Sequence, residues 1–474
     1  MKAERGCEEY EREVHEIEEA LKDDYKDVFV TGAEEVRKVI EEIKGRLGGR
    51  FDEKAIECFV YNRLSMGKLT PYLLDPNLEE VMVIGEGRPV YILNRQGENI
   101  ATDTYLTEME TRELIQRVAH YSSRVVDTST PLFDGRLPDG SRVNATYSKV
   151  SPKGSTITIR KFGVEPLTVL HLLRFGTMSP KLCAFLWLAV DGLERKPANI
   201  MIIGGTASGK TTTLNALSSF IPEDKRIISI EDTLEINLRH KHWVPMETAP
   251  PDQEGRNEVT MDALLKNTLR MRPDRIIVGE VRAEEASTLF TAMNTGHDGC
   301  LATIHANSAR EALSRLQGPP MNVPDMMIPA LDLIVAQRRV ISEGRIKRLV
   351  FEVAEISGKE KDTFLTNTLF SYDPKTGQIE SKILNGKIIR ELSEFTGLTI
   401  KELDDEMYKR ELVLELMMDY DLTQKDIHKF VQDYYRNKYA TLESLHDEIK
   451  SLKDVQKIER ENARSEPKKG LLPI

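Results

Sequence analysis

Gly204-Gly-Thr-Ala-Ser-Gly-Lys-Thr211 sets two glycines five positions apart, followed at once by a lysine and a threonine. This is the spacing G-x-x-x-x-G-K-[ST], in which glycines let backbone N–H groups close around phosphate oxygens. Gly204, Gly205, Thr206, Ala207, Ser208 and Gly209 would form the cradle. Lys210 would reach the β- and γ-phosphates, and the Thr211 hydroxyl would bind Mg²⁺. With Thr212 these residues open a helical stretch running to Phe220, whose N-terminus favours anions. An apolar run, Ile200–Ile203, comes just before the loop. The chemistry expected is therefore ATP binding and hydrolysis.

Three further segments could supply the rest of such a site. Arg275-Ile-Ile-Val-Gly-Glu280 is an apolar strand ending in a carboxylate, which makes Glu280 the preferred general base or water-positioning group. Gly279 stands where many phosphate-loop enzymes keep a Mg²⁺-binding aspartate. The metal would then rest on Thr211, the phosphates, water and another acid. Ile228-Ser-Ile-Glu-Asp-Thr-Leu-Glu235 ends a second apolar run with a cluster of acids, either catalytic or, through Asp232, a helix cap. Around a third run lie His297 and His305. His305 is a candidate for the γ-phosphate or the attacking water, against the plainer reading of a satisfied core histidine. Their separation matches no helical ligand pair, which argues against zinc.

The elements that must hold these groups are short β-rich runs alternating with helical stretches: Ile200–Ile203, Arg226–Ile230, Arg275–Val278, Leu301–Ile304 and Leu331–Ala336. That alternation predicts an α/β domain with a mostly parallel, doubly wound sheet. Ser179-Pro180 opens a buried helix through Leu182–Val190. Before it, residues 56–163 read as a smaller α+β domain. There Val81–Ile84 and Val90–Leu93 flank Gly85-Glu-Gly87 as a hairpin, Glu108–Tyr121 is helical, and Ser155–Arg160 alternates like a strand. Residues 1–55 read as an acidic helical region with Val36, Ile40, Ile43 and Leu47 on one face, residues 164–178 as a linker, and 179–340 as the nucleotide-binding domain. Residues 341–474 read as mainly helical, with Leu442, Leu445, Ile449, Leu452 and Val455 forming an apolar stripe.

The 474 residues carry 66 Lys+Arg against 77 Asp+Glu, a net charge of −11, which argues against a general affinity for nucleic-acid backbones. No run reaches the ~18 apolar residues of a membrane span, and the N-terminus leads into acids in place of a signal core. Cys7, Cys58, Cys183 and Cys300 are widely separated, so neither a disulfide framework nor a cysteine zinc module is expected, in keeping with a reducing cytoplasm.

The order of motifs resembles the type II/type IV secretion ATPase superfamily, over roughly residues 60 to 340. It is carried by the phosphate loop, Ile230-Glu-Asp-Thr-Leu-Glu235, Ile277-Val-Gly-Glu-Val-Arg282 and Thr303-Ile-His-Ala-Asn307. Gly279 then ceases to be anomalous, since members of that family similarly end this strand in Gly-Glu. The resemblance implies a RecA-like phosphate-loop domain behind an α+β N-terminal domain, in a cytoplasmic homo-hexamer with ATP and Mg²⁺ near the domain junction. It gives Glu280 the catalytic role, places Glu231 near the attacking water and Mg²⁺, and sets His305 on the γ-phosphate. Arg142 and Arg160, in Asp134-Gly-Arg-Leu-Pro-Asp-Gly-Ser-Arg142 and Thr158-Ile-Arg-Lys-Phe162, would swing toward the nucleotide; read alone they could be surface charges. Arg270, Arg272 and Arg282 are further arginine candidates.

The lack of a four-cysteine zinc insertion points to the archaeal-type branch. Force would pass to a polytopic membrane platform protein of a secretion, type IV pilus or archaellum machine, from the inner face of the membrane. The rivals are a DNA-transfer ATPase of the conjugation type and a nucleotide-gated scaffold that does not hydrolyse.

Overall fold

The computed structural model describes residues 7–94, 97–122, 124–162, 166–249, 251, 256–342, 345–360, 363–382, 386–420 and 422–436. The stripe at 442–455 lies outside them. The chain divides into two units, residues 1–164 and 165–474.

The first unit opens with helices α1 (Glu11–Leu21), α2 (Ala33–Leu47) and α3 (Glu53–Phe59). Each buries residues three or four apart: Val14, Ile17 and Leu21, then Val36, Ile40 and Ile43, then Ile56 and Phe59. Gly48 ends α2 in the left-handed region at φ 57°, where glycine avoids the Cβ clash. The expectation of no disulfide is corrected here, because Cys7 and Cys58 are bonded, with Cα atoms 5.4 Å apart. Folding of α1 back along α3 brings together two cysteines separated by 51 residues, which their spacing does not disclose. Cys183 and Cys300 are free and buried.

After α4 (Thr70–Leu74) comes a six-stranded antiparallel sheet in the order β3-β2-β1-β6-β5-β4. Its strands are β1 (Leu78–Val83), β2 (Pro89–Asn94), β3 (Asn99–Tyr105), β4 (Leu132–Arg136), β5 (Arg142–Thr146) and β6 (Thr156–Arg160). Val81 pairs with Ile92 in the expected hairpin. Helix α5 (Glu108–Tyr121) starts from a capping box between Thr107 and Glu110, and shares a core with the sheet through Leu114, Ile115 and Val118.

In the second unit, a nine-stranded sheet runs β15-β14-β13-β12-β7-β11-β10-β8-β9. Its parallel part is β7 (Ile200–Gly204), β8 (Ile227–Glu231), β9 (Trp243–Glu247), β10 (Arg275–Val281), β11 (Leu301–Ile304) and β12 (Leu333–Ser342). Helices pack on both faces. One core holds α6 (Val169–Arg174), α7 (Pro180–Asp191) and α8 (Lys210–Ser218). The other holds α9 (Met261–Thr268), α10 (Glu285–Asn294) and α11 (Ala309–Gln317). Strands buried on both faces are nearly continuous in Ile and Val, as helix-covered parallel strands require. The doubly wound α/β fold class stands.

Two boundaries change. Residues 164–178 are not a simple linker, since Val169, Leu170, Leu172 and Leu173 bury α6 in the core of the second unit. Nor does helix begin at 341. The sheet continues antiparallel through β13 (Arg345–Glu360), β14 (Thr363–Asp373) and β15 (Gln378–Ser381). Only then come α12 (Lys387–Thr396), α13 (Ile400–Met418) and α14 (Gln424–Arg436). Charged residues are interspersed with Leu349, Val353 and Ile356 along β13, and Thr, Asn and Ser with Phe364, Leu369 and Phe370 along β14, so neither strand offers a continuous apolar run. Helix α13 fastens onto α7 through Arg410, which is wholly buried and pairs with Asp191 at 2.7 Å, and with Glu406 of its own helix at 3.1 Å.

Candidate nucleotide site

Strands β7, β11, β10 and β8 are parallel neighbours, so their C-terminal ends share one edge of the sheet. That edge holds the phosphate loop after β7, His305 after β11, Gly279-Glu280 on β10 and Glu231 at the end of β8. Ligands of open α/β sheets bind at this edge.

The loop residues 205–209 run directly from β7 into α8. A Cβ on Gly204 would lie 2.4 Å from Ser208 Oγ and 2.5 Å from the Gln337 carbonyl, so only glycine fits there. Ala207 (φ 56°) and Gly209 (φ 93°) take left-handed conformations that turn the loop back over the N-terminus of α8. Lys210 Nζ donates to the Gly205 carbonyl at 3.3 Å, folded onto the cradle it serves. Burial lowers its pKa while the Glu280 charge opposes that shift. The hydroxyl of Ser208, which can donate to a phosphate oxygen, is buried without a hydrogen-bond partner. These features fit a phosphate chain in the cradle. Thr211, half-buried in the first turn of α8, fits the Mg²⁺ ligand role.

Glu231 is 2% exposed. Its Oε1 accepts from the backbone N–H groups of Glu235 (3.0 Å) and Ile236 (3.1 Å). Burial, with Glu235 and Glu247 nearby, raises its pKa from an ordinary 4.5 to about 7. With its oxygens turned to its own loop it is a poor direct metal ligand; the arrangement suits a carboxyl that shapes the acidic loop. Gly279 has its explanation here, because a Cβ would sit 2.8 Å from Glu231 Cγ. The strand end must be glycine for β8 and β10 to bring both glutamates to one edge. Thr303 Oγ1 donates to the Gly279 carbonyl at 2.6 Å and ties β11 to the same point.

Glu280 is half-buried, and Arg282 Nη2 and Nε donate to its Oε2 at 2.5 and 3.0 Å. Arg282 Nη1 also reaches Asp232 Oδ2 at 3.2 Å. Asp232 caps no helix, since none follows it before Trp243. The two histidines part company. His305 follows β11 at the site edge, whereas His297 precedes β11 at the opposite end, with Nδ1 buried and unpartnered. Arg270 and Arg272 lie before β10, also at the far end. In the first unit Arg142 and Arg160 are register partners on β5 and β6, and Arg142 also faces Arg136 on β4. Two arginines separated in sequence thus form one row, exposed at Arg142 and Arg160, with the half-buried Arg136.

Sequence reasoning missed Arg348 and Gln337. Arg348, on β13, donates from Nε to the Ala207 carbonyl at 3.0 Å and braces the loop from outside. Gln337 on β12 is paired in register with Gly204. Neither belongs to a local motif: Gln337 reaches the loop from the parallel strand β12, one residue past the apolar run Leu331–Ala336, and Arg348 from the antiparallel strand β13.

Residues 69–380 match the family model described as Type II/IV secretion system protein. An uncharacterized protein of Methanocaldococcus jannaschii is 51% identical over 240 residues, 50% of this chain and 33% of its own length. A second from that organism is 38% identical over 338 residues, 69% of this chain and 60% of its own. The chain therefore spans less than two thirds of either relative. The probable conjugal transfer protein TrbB of Sinorhizobium fredii is 36% identical over 288 residues, covering 58% of this chain and 83% of that protein. Among solved structures, the VirB11 ATPase from the Brucella suis type IV secretion system, in complex with sulphate, is 27% identical. The match covers 60% of this chain and 95% of that one, with a TM-score of 0.31.

Proposed function

Because the chain belongs to the type II/IV secretion system protein family, in its archaeal-type branch, we propose that it is an ATPase motor for protein secretion or for type IV pilus or archaellum assembly. One observation carries the reading. The phosphate loop, Glu280 and His305 emerge from adjacent parallel strands at a single sheet edge. In this reading backbone N–H groups of 204–212 and Lys210 hold the triphosphate. Glu280 orients water for attack on the γ-phosphorus and takes its proton as the bond to the β-phosphate oxygen breaks. His305 contacts the γ-phosphate. Thr211, with water and phosphate oxygens, would hold Mg²⁺, which would supply positive charge against the triphosphate. Arg142 and Arg160 add positive charge from the first unit, in the same or a neighbouring subunit.

We assign the working form as a cytoplasmic hexamer at the inner face of the membrane, pushing on a polytopic platform protein. Among the described residues no helix is long and apolar enough to cross a membrane, so contact through a partner is the economical arrangement. A second reading, ATP-driven DNA transfer, is favoured by the identity with the conjugal transfer relative. Single-stranded DNA that stimulates turnover would select it. Lys210→Ala tests the site itself: binding of a fluorescent ATP analogue should be lost, and binding at wild-type affinity would contradict the assignment.

A further inference from the structure

Glu280 is the penultimate residue of β10 and Arg282 follows the strand directly, and the two side chains meet at the strand end. The turn that follows is fixed by Glu285, whose Oε1 accepts from the backbone N–H of Arg282 at 2.5 Å and of Ala283 at 2.8 Å. Held there, the guanidinium folds back over its own strand. Nε and Nη2 converge on a single oxygen of Glu280, while Nη1 crosses to Asp232 beyond the end of the neighbouring strand β8. Three of its five N–H donors are thus spent on two carboxylates from adjacent strands. The pairs are partly solvated, with Arg282 63% and Asp232 44% exposed, so they contribute little as packing. Their consequence is directional: the Glu280 carboxylate is gripped at one oxygen in one plane.

We propose that Arg282 is a positioning residue for hydrolysis, orienting the Glu280 carboxylate, with Asp232 as the anchor that fixes the guanidinium. A triphosphate in the loop would compete for any nearby arginine. Asp232 supplies the counter-charge that keeps Arg282 on the carboxylate. The same geometry sets Arg282 apart from an arginine that reads the nucleotide, because three of its donors, one on each nitrogen, are committed within its own site. A lysine could not reproduce the grip, having one compact ammonium in place of a planar fork. The inference rests on Glu280 being the catalytic group.

The experiment is steady-state phosphate release against ATP concentration for wild type, Glu280→Gln, Arg282→Ala, Arg282→Lys, Asp232→Ala and the Arg282→Ala/Asp232→Ala double variant. Thermal melting confirms that each is folded. Arg282→Ala should lower kcat about 10- to 100-fold with KM for ATP changed less than about three-fold, as expected for misoriented chemistry with intact binding. Arg282→Lys should recover less than about a third of the lost activity. Asp232→Ala should show a smaller loss, and the double variant should be no slower than Arg282→Ala alone. Unchanged kcat in Arg282→Ala, a rise in KM matching the loss, or additive losses in the double variant would each overturn the proposal. Wild-type turnover in Glu280→Gln would instead overturn the assignment of Glu280 itself, so the two failures are distinguishable.

Discussion

Glu231→Gln offers a quantitative handle on the buried acid beside the site. The side chain is 2% exposed and its pKa stands at about 7 against an ordinary 4.5, with desolvation as the main cause. A raised carboxyl pKa means that the unfolded chain gives up its proton before the folded one does. Stability from this group is therefore fully present below about pH 4.5 and is lost as pH rises toward 7. At about 1.4 kcal/mol per pH unit, the loss between roughly pH 5 and pH 8 comes to about 2–3 kcal/mol. Glutamine keeps an oxygen to accept the Glu235 and Ile236 N–H groups, has nearly the same shape and does not ionise. Denaturant unfolding of the second unit, followed for both proteins at the two pH values, reads the difference directly. Wild type should lose about 2–3 kcal/mol more than Glu231→Gln on going to the higher pH. A difference independent of pH, or one that grows in favour of wild type at high pH, would refute the claim that Glu231 is held neutral by burial.

Gly279→Ala would force a Cβ to within 2.8 Å of Glu231 Cγ, so the two strand ends must part. Unfolding should show a loss of about 1–3 kcal/mol together with slower phosphate release; a neutral variant would mean that the close approach is not required. Cys7→Ser opens a covalent link spanning 51 residues and should destabilise the helical front by about 2–4 kcal/mol. Wild type treated with reductant should show the same lowered melting transition, and identical melting with and without reductant would contradict it.

Legibility in the sequence follows the range of the interactions concerned. The phosphate loop, the Gly-Glu strand end and His305 are local patterns whose chemistry depends on residues a few positions apart. A parallel sheet then brings their strand ends to one edge, because its strands are adjacent and run the same way. Arg142 and Arg160 could be named, but their alignment as register partners depends on how β5 pairs with β6. The antiparallel extension reads as helix from sequence, since charged residues along β13 and uncharged polar ones along β14 interrupt the apolar run that betrays β7 or β10. Missing that extension also hid Arg348, while Gln337 sits just past the apolar run of the parallel strand β12; both touch the loop across more than a hundred residues of sequence. The Cys7–Cys58 bond was hidden for a similar reason, because only the fold of the first three helices brings the two side chains together.

The most direct test of the central claim is single-site: phosphate release by wild type and Glu280→Gln at saturating ATP and Mg²⁺, with ATP binding measured on the same preparations. Turnover in wild type, with retained binding but a loss of at least about 100-fold in Glu280→Gln, is the result expected of a group that orients the attacking water. Equal turnover in the two proteins would contradict the account.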